Sequence, residues 1–241
     1  MGTAEDKYFK KNDIVNGYSI LQILGQGRYG IVYLAKNNKG EKVIIKQLKN
    51  SMLEETRKKL FYEEQILKSL DNKGFPKFIS TFKDEYREGY ILEFIEGRVF
   101  HDMLYDGIKF TKADIYKICE QLLDLLEILH SKNILHRDIR PPNVIVKNNR
   151  ELVLIDFGLA RIADGKKYVK EMDYWYLADF LIHLHYSVYK GTSIEEKPWY
   201  EELNLNEEEI SFHKKLMSIE GKYNSIKEIR EELQVIKNKL T

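Results

Sequence analysis

Six residues, Gly25-Gln26-Gly27-Arg28-Tyr29-Gly30, separate two short apolar stretches that read as strands. Glycine has no Cβ, so a strand, a Gly-rich turn and a second strand form a flap whose backbone can approach phosphate groups closely. A dinucleotide-binding turn with similar glycines would lead into a helix, with an acidic residue about 20 positions on. Here the strand Ile31-Val32-Tyr33-Leu34 follows instead. An ordinary Gly-rich hairpin would show the same glycines. Downstream, Lys46 ends the apolar run Val43-Ile44-Ile45, and an ammonium projecting from a mostly buried strand needs a counter-charge. Glu63 is the candidate, because Leu60, Ile66, Leu67 and Leu70 lie at i−3, i+3, i+4 and i+7 from it and place it on the inward face of a helix. Glu64 has Lys68 one turn on and reads as solvated. The alternative is that Lys46 and Glu63 are both surface charges, as most Lys and Glu are.

The segment Leu135-His136-Arg137-Asp138-Ile139-Arg140-Pro141-Pro142-Asn143, followed by Ile155-Asp156-Phe157-Gly158, completes the set. At these residues the chain resembles the protein kinase family: glycine-rich loop, strand lysine, helix glutamate, HRD-x-x-x-x-N catalytic loop and DFG motif, in order and with family-like spacing. The resemblance runs from about residue 18 to the end, and is closest to compact, bacterial-type members with serine/threonine character. It implies an α+β, bilobal fold with a β-rich N-lobe holding one main helix and a mostly helical C-lobe. It also implies ATP and Mg²⁺ as cofactors, since phosphoryl transfer needs alignment and charge neutralisation more than covalent help. By resemblance, Lys46 holds the α and β phosphates and is oriented by Glu63. Asn143 and Asp156 hold Mg²⁺, and Asp138 takes or orients the acceptor's proton. Gly25, Gly27 and Gly30 cover the phosphates. Glu93, Phe94 and Ile95 offer backbone groups to adenine, Leu92 guards the rear of the pocket, and Leu24, Val32 and Ile145 sandwich the ring. His136, Phe157 and Leu67 resemble the packed column between the family's lobes, and Asp173 resembles the buried aspartate that holds the catalytic-loop backbone.

Three departures from the pattern bear on function. Ile44 stands where the family usually has Ala, against the adenine, so the nucleotide pocket should be tight. Arg140 replaces the catalytic-loop lysine of serine/threonine kinases, and a guanidinium can clamp phosphate bidentately where an ammonium acts as a point charge. Only 14 residues, Leu159 to Met172, separate the DFG motif from Asp173, with no Ala-Pro-Glu motif among them. Much of the ledge that receives a substrate peptide is therefore expected to be missing. That segment holds no Ser or Thr, and Tyr168 is its only hydroxyl. Asp164 or Glu171 is expected to give Arg137 a permanent carboxylate partner in place of a phosphate. The leading reading is transfer of the γ-phosphate of MgATP to a protein hydroxyl. The rivals are a small-molecule kinase, favoured by the missing ledge, and a nucleotide-binding pseudokinase, opposed by the intact Lys46, Asp138, Asn143 and Asp156.

These residues need elements to hold them. Strands are expected over Tyr18 to Leu24, Ile31 to Lys36, Lys42 to Leu48, Phe78 to Phe82 and Tyr90 to Phe94. Asn37-Asn38-Lys39-Gly40 joins the second and third as a hairpin. The helix carrying Glu63 should start at Ser51, which has capping-box spacing to Glu54, and end near Asp71 to Gly74. Residues 1–17 form an N-terminal extension, 18–95 a nucleotide-binding lobe and 96–241 the catalytic lobe. In the latter, Thr111 to Lys132 is a long amphipathic helix, and Val144 to Lys147 and Leu152 to Ile155 form a strand pair. Trp175 to Tyr189 is apolar nearly all round and hence a central buried helix, while Asn206 to Glu220 and Ser225 to Lys239 are amphipathic.

The bulk composition is permissive. The 241 residues are 43 % hydrophobic, ample for a core, and 39 basic against 38 acidic side chains leave no electrostatic footprint for nucleic acid. The single cysteine, Cys119, sits in an apolar-periodic stretch, where a thiol acts as a small hydrophobe and a reducing compartment fits. The polar start lacks an apolar signal core, and Asp6 stands where a myristoylation signal wants Ser or Thr. The longest apolar run carries Asp179, His183 and His185 and falls short of the roughly 20 residues of a membrane span. A cytoplasmic protein, without membrane or nucleic-acid partners, is expected.

Overall fold

The structure, a computed structural model, describes residues 6–27, 30–50, 62–191 and 197–239. Its contacts divide the chain into two compact units, Met1–Glu96 and Gly97–Thr241.

The first unit is built on one antiparallel sheet. Its strands are β1 (Ile14–Val15), β2 (Tyr18–Gln26), β3 (Gly30–Lys36), β4 (Lys42–Leu48), β5 (Phe78–Lys83) and β6 (Glu88–Glu93), in the order β1-β2-β3-β4-β6-β5. The alternation of β3 and β4 sorts their two faces. Ile31, Tyr33, Ala35, Val43 and Ile45 are buried together with Ile20, Phe82 and Ile91, while the intervening residues turn to the other face. Residues expected as a mere extension complete this core: β1 pairs with β2, and Phe9 and Val15 are buried within it. Phe9 packs edge-on against Tyr33 and Phe82, at ring separations of 5.5 and 5.7 Å. A buried polar chain ties the segment down: Phe9 N–H donates to the Tyr33 hydroxyl, which donates to Gln47 Oε1, while Gln47 Nε2 donates to the Lys7 carbonyl. Helix α1 is described over residues 62–69. Its expected start, with Ser51, Leu53, Glu54 and Leu60, lies outside the described residues.

The second unit holds β7 (Arg98–Val99), α2 (Phe100–Tyr105), α3 (Lys112–Ser131), β8 (Ile134–Leu135), β9 (Val144–Val146), β10 (Leu152–Leu154) and β11 (Arg161–Ile162). The helices α4 (Glu171–Tyr186), α5 (Trp199–Glu202), α6 (Glu207–Leu216) and α7 (Ile226–Asn238) follow. Helix α3 is the central post, burying Ile115, Tyr116, Cys119, Leu122, Leu123, Leu126 and Leu129, and it contacts α4 and α7. It starts with a reciprocal capping box between Thr111 and Asp114. Helix α6 has the same box between Asn206 and Glu209, and Ser225 caps α7.

Two helices differ from expectation. The helix expected from Trp175 begins at Glu171, because Asp173 is fully buried in its first turn despite its charge, and Trp175 is left 43 % exposed. Helix α6 stops at Leu216 rather than near Glu220. Ser218 takes a left-handed φ of 58°, and the Ile219 and Ser218 N–H groups fold back onto the Lys214 and Lys215 carbonyls, closing the end as a Schellman turn. Among the described residues no helix is long and apolar enough to cross a membrane.

Candidate active site

The chemistry-bearing residues of the first unit share the sheet face opposite its core. In the antiparallel register Val32 faces Lys46, Leu34 faces Ile44, Ile44 faces Leu92 and Lys46 faces Tyr90, so Val32, Ile44, Lys46, Leu92 and Tyr90 project to one side. Gly25 is level with Val32, and Leu24 falls at the β-bulge between Ile23 and Gly25, 48 % exposed. The Gly27 N–H donates to the Gly30 carbonyl and closes the turn, of which Arg28 and Tyr29 lie outside the described residues. The three glycines have different reasons to be glycine. A Cβ on Gly30 would lie 2.7 Å from the Gln47 carbonyl oxygen, so the β3–β4 approach itself excludes a side chain. A Cβ on Gly25 or Gly27 would meet no described atom within 4 Å.

Lys46 Nζ lies 3.2 Å from Glu63 Oε1, with Glu63 buried and Lys46 partly exposed. The other carboxylate oxygen of Glu63 accepts from the Tyr90 hydroxyl. Glu64 instead pairs with Lys68 at 2.6 Å on the helix surface. Glu93 ends β6 and takes the Lys77 N–H on its carboxylate at 3.1 Å, while its own N–H donates to the Lys77 carbonyl. Phe94 and Ile95 follow, half-buried.

The second unit assembles its set around one loop. Strand β8 pairs with β11, and the chain then passes through residues 136–140 and a single 3₁₀ turn, Pro141–Asn143, into β9. Asp173, reaching from α4, fixes the loop backbone: its carboxylate accepts from the N–H groups of His136 at 3.1 Å and Arg137 at 2.7 Å. His130, at the end of α3, donates to the same carboxylate at 2.8 Å. His136 Nδ1 accepts the Asp138 N–H at 3.3 Å, which leaves Nε2 to donate to the Ile155 carbonyl at 3.1 Å. Burial holds the His136 imidazole below its ordinary pKa, and its ring packs edge-on against Phe157 at 4.7 Å. The residue is thus a neutral spacer between the two loops rather than a base.

Asp138 is held on two sides. Arg140 Nε and Nη2 reach Asp138 Oδ1 and Oδ2 at 2.6 and 3.0 Å, a bidentate fork, and Asn143 Nδ2 donates to Oδ2 at 2.8 Å and to the Asp138 carbonyl at 2.9 Å. Donating to the Asp138 carboxylate pushes the Arg140 guanidinium still further up in pKa. The Ile155 N–H donates to the Asn143 carbonyl at 2.9 Å and so sets Asp156 beside this cluster. Ile145 lies on β9, opposite Val153. Arg137 and Asp156 both have positive φ, 64° and 65°. Left-handed backbone costs a non-glycine residue of order 1–3 kcal/mol and persists where the surroundings over-determine it.

The expected carboxylate partner of Arg137 is not there. Asp164 Oδ1 accepts from the Lys166 and Tyr168 N–H groups of its own turn, and Glu171 pairs with Lys222 at 3.1 Å. Both side chains satisfy nearer partners, and Arg137 instead sets its guanidinium against the Tyr168 ring at 4.6 Å and donates to the Leu159 carbonyl at 3.0 Å. Sequence reasoning also passed over Tyr90 and His130. A tyrosine in an apolar strand and a histidine in the last turn of an amphipathic helix both read as core, and only the partners show otherwise.

Residues 18–195 match the protein kinase domain family. The chain is 34 % identical to a probable serine/threonine-protein kinase YbdM of Bacillus subtilis, over 95 % of this chain and 93 % of that protein. It is 30 % identical to mitogen-activated protein kinase 18 of Arabidopsis thaliana and 33 % identical to cyclin-dependent kinase-like 1 of Caenorhabditis elegans, over 78 % and 60 % of this chain. It spans 32 % and 42 % of those two proteins' own length. With a β-rich first unit and a mostly helical second unit, the chain belongs to the protein kinase family.

Proposed function

We propose that the chain moves the γ-phosphoryl group of MgATP to a hydroxyl of a protein, with serine or threonine the favoured acceptor. The observation that carries this reading is the arrangement around Asp138: a carboxylate forked by Arg140, tied to Asn143 and set beside Asp156. The donor set fits a hard cation. Asn143 spends its amide nitrogen on Asp138 and keeps Oδ1, which with the Asp156 carboxylate makes an all-oxygen pair suited to Mg²⁺. The surroundings of Gly25 and Gly27 fit a phosphate chain as well, because among the described residues nothing in the packing requires glycine there.

When bound, MgATP supplies the phosphoryl group, with its phosphate charge offset by the cation. Lys46, oriented by Glu63, takes the α and β phosphates. Val32, Ile44 and Leu92 line the base with Leu24, the backbone of Glu93, Phe94 and Ile95 faces its polar edge, and Ile145 is assigned to the base on the resemblance alone. Asp138 accepts the proton of the acceptor hydroxyl as the new P–O bond forms and ADP leaves. Arg140 is the cation nearest that carboxylate and is placed to meet phosphate charge as it shifts toward the acceptor.

A second reading, a kinase for a small molecule, is favoured by the 14-residue segment from Leu159 to Met172. Incubation with γ-labelled MgATP and a cell lysate divided into protein and metabolite fractions separates the two. Label in protein is expected; label confined to metabolites would overturn the protein reading, and no transfer to either would overturn phosphotransfer itself.

A further inference from the structure

Tyr90 is the one hydroxyl-bearing side chain on the nucleotide-facing side of β4 and β6 that reaches the Lys46–Glu63 pair among the described residues. It stands directly across from Lys46 in the register, is 5 % exposed, and turns its hydroxyl to Glu63 Oε2 while Lys46 takes Oε1 at 3.2 Å. The Lys46 ammonium also lies 5.7 Å from the centre of the Tyr90 ring. Phe78 stacks nearly parallel on that ring, 12° between planes at 6.1 Å, so the phenol has little freedom to turn. One buried carboxylate is therefore gripped by two strands at once, each taking one oxygen.

We propose that Tyr90 is a positioning residue of the nucleotide site, whose hydroxyl locks Glu63 in the rotamer that aims Lys46. The inference rests on the reading of Lys46 as the phosphate-binding lysine. The Lys46 ammonium takes one oxygen of the buried Glu63 carboxylate, and a buried carboxylate needs a donor on its second oxygen as well. The phenol supplies a charge-assisted bond to that second oxygen, which holds α1 against the sheet without nucleotide present. Removing the hydroxyl and leaving the ring takes this bond from the carboxylate, so Lys46 is aimed less firmly while keeping its charge.

The test compares wild type, Lys46→Met, Glu63→Gln, Tyr90→Phe and the double variant Glu63→Gln/Tyr90→Phe. Transfer from γ-labelled MgATP is measured into whichever acceptor fraction takes label, with molecules counted by folded fraction. Tyr90→Phe is expected to lower kcat/KM for MgATP about 10-fold. In the Glu63→Gln background the same change should cost less than about 2-fold, because the hydroxyl acts through that carboxylate. Tyr90→Met, which also lacks the hydroxyl, should reproduce the loss and serves if Tyr90→Phe does not fold. Full activity in Tyr90→Phe or Tyr90→Met, or losses that multiply in the double variant, would overturn the proposal while leaving the site intact. Wild-type activity in Lys46→Met would overturn the reading beneath it instead.

Discussion

Ile44 shows how one side chain can set selectivity. It is half-buried on the sheet face that carries Lys46, flanked in register by Leu34 and Leu92. Ile44→Ala removes three methyl-sized groups from that face and should admit adenine analogues with bulky ring substituents that wild type excludes. The stability loss should sit at or below the low end of the ~2–5 kcal/mol of buried Ile-to-Ala changes, since the site is only partly covered. Competition between ATP and ring-substituted analogues reads the effect, and an unchanged preference would show that Ile44 does not meet the base. At this scale the pairing of Lys46 with Glu63 was legible: a strand-end ammonium needs a counter-charge, an inward-facing helix carboxylate offers one, and the two stand 3.2 Å apart. Tyr90, His130 and the Tyr168 stack on Arg137 were not legible, because their value lies in a partner distant in sequence. Periodicity reports a face and cannot report what stands across it.

The elements extend the same lesson. Strands read from alternation match the observed ones to within a few residues, since that pattern is what burying one face of a sheet requires. The polar segment before residue 18 carries few apolar residues, and only the packing of Phe9 and Val15 shows it as part of the sheet's core. Likewise the helix was expected to start at Trp175, yet Glu171 and Asp173 form the first turn of α4, from which Asp173, expected by resemblance to hold the catalytic-loop backbone, takes its N–H groups. The segment between Asp156 and α4 is pinned by backbone bonds from Ala163 to Asn133 at 2.7 Å and from Asp164 to Tyr168 at 3.1 Å, and by the Arg137–Tyr168 stack. A loop this short, held this way, has little entropy left for a phosphate to remove. Phosphatase treatment and Tyr168→Phe should each retain most transfer activity, because the stack needs the ring face and not the hydroxyl. Loss of most activity in either would contradict a segment ordered without phosphorylation.

The molecule as a whole should weaken in acid through two histidines of the second unit. Burial, joined by the neighbouring His213 and by Lys112, lowers His185 to about 3, and burial lowers His213 to about 4. Their rings lie 5.3 Å apart, with Tyr116 beside His185 and Trp199 beside His213. Both are neutral when folded and protonate near 6.5 when unfolded. Their stability is therefore fully present above about pH 6.5 and falls as pH drops toward 4, by about 1–2 kcal/mol per histidine between pH 7 and 5. Urea unfolding across that range checks the slope, and His185→Gln or His213→Gln should flatten it; a wild-type slope in both variants would contradict the assignment.

The whole account turns on Asp138, the carboxylate on which Arg140 and Asn143 converge. The direct test is label transfer from γ-labelled MgATP to protein by wild type and by Asp138→Asn, with MgATP affinity measured on both. The account predicts near-equal affinity and turnover lowered by roughly 10²–10⁴ in Asp138→Asn, as loss of a transition-state proton acceptor requires. Undiminished turnover in Asp138→Asn would contradict it.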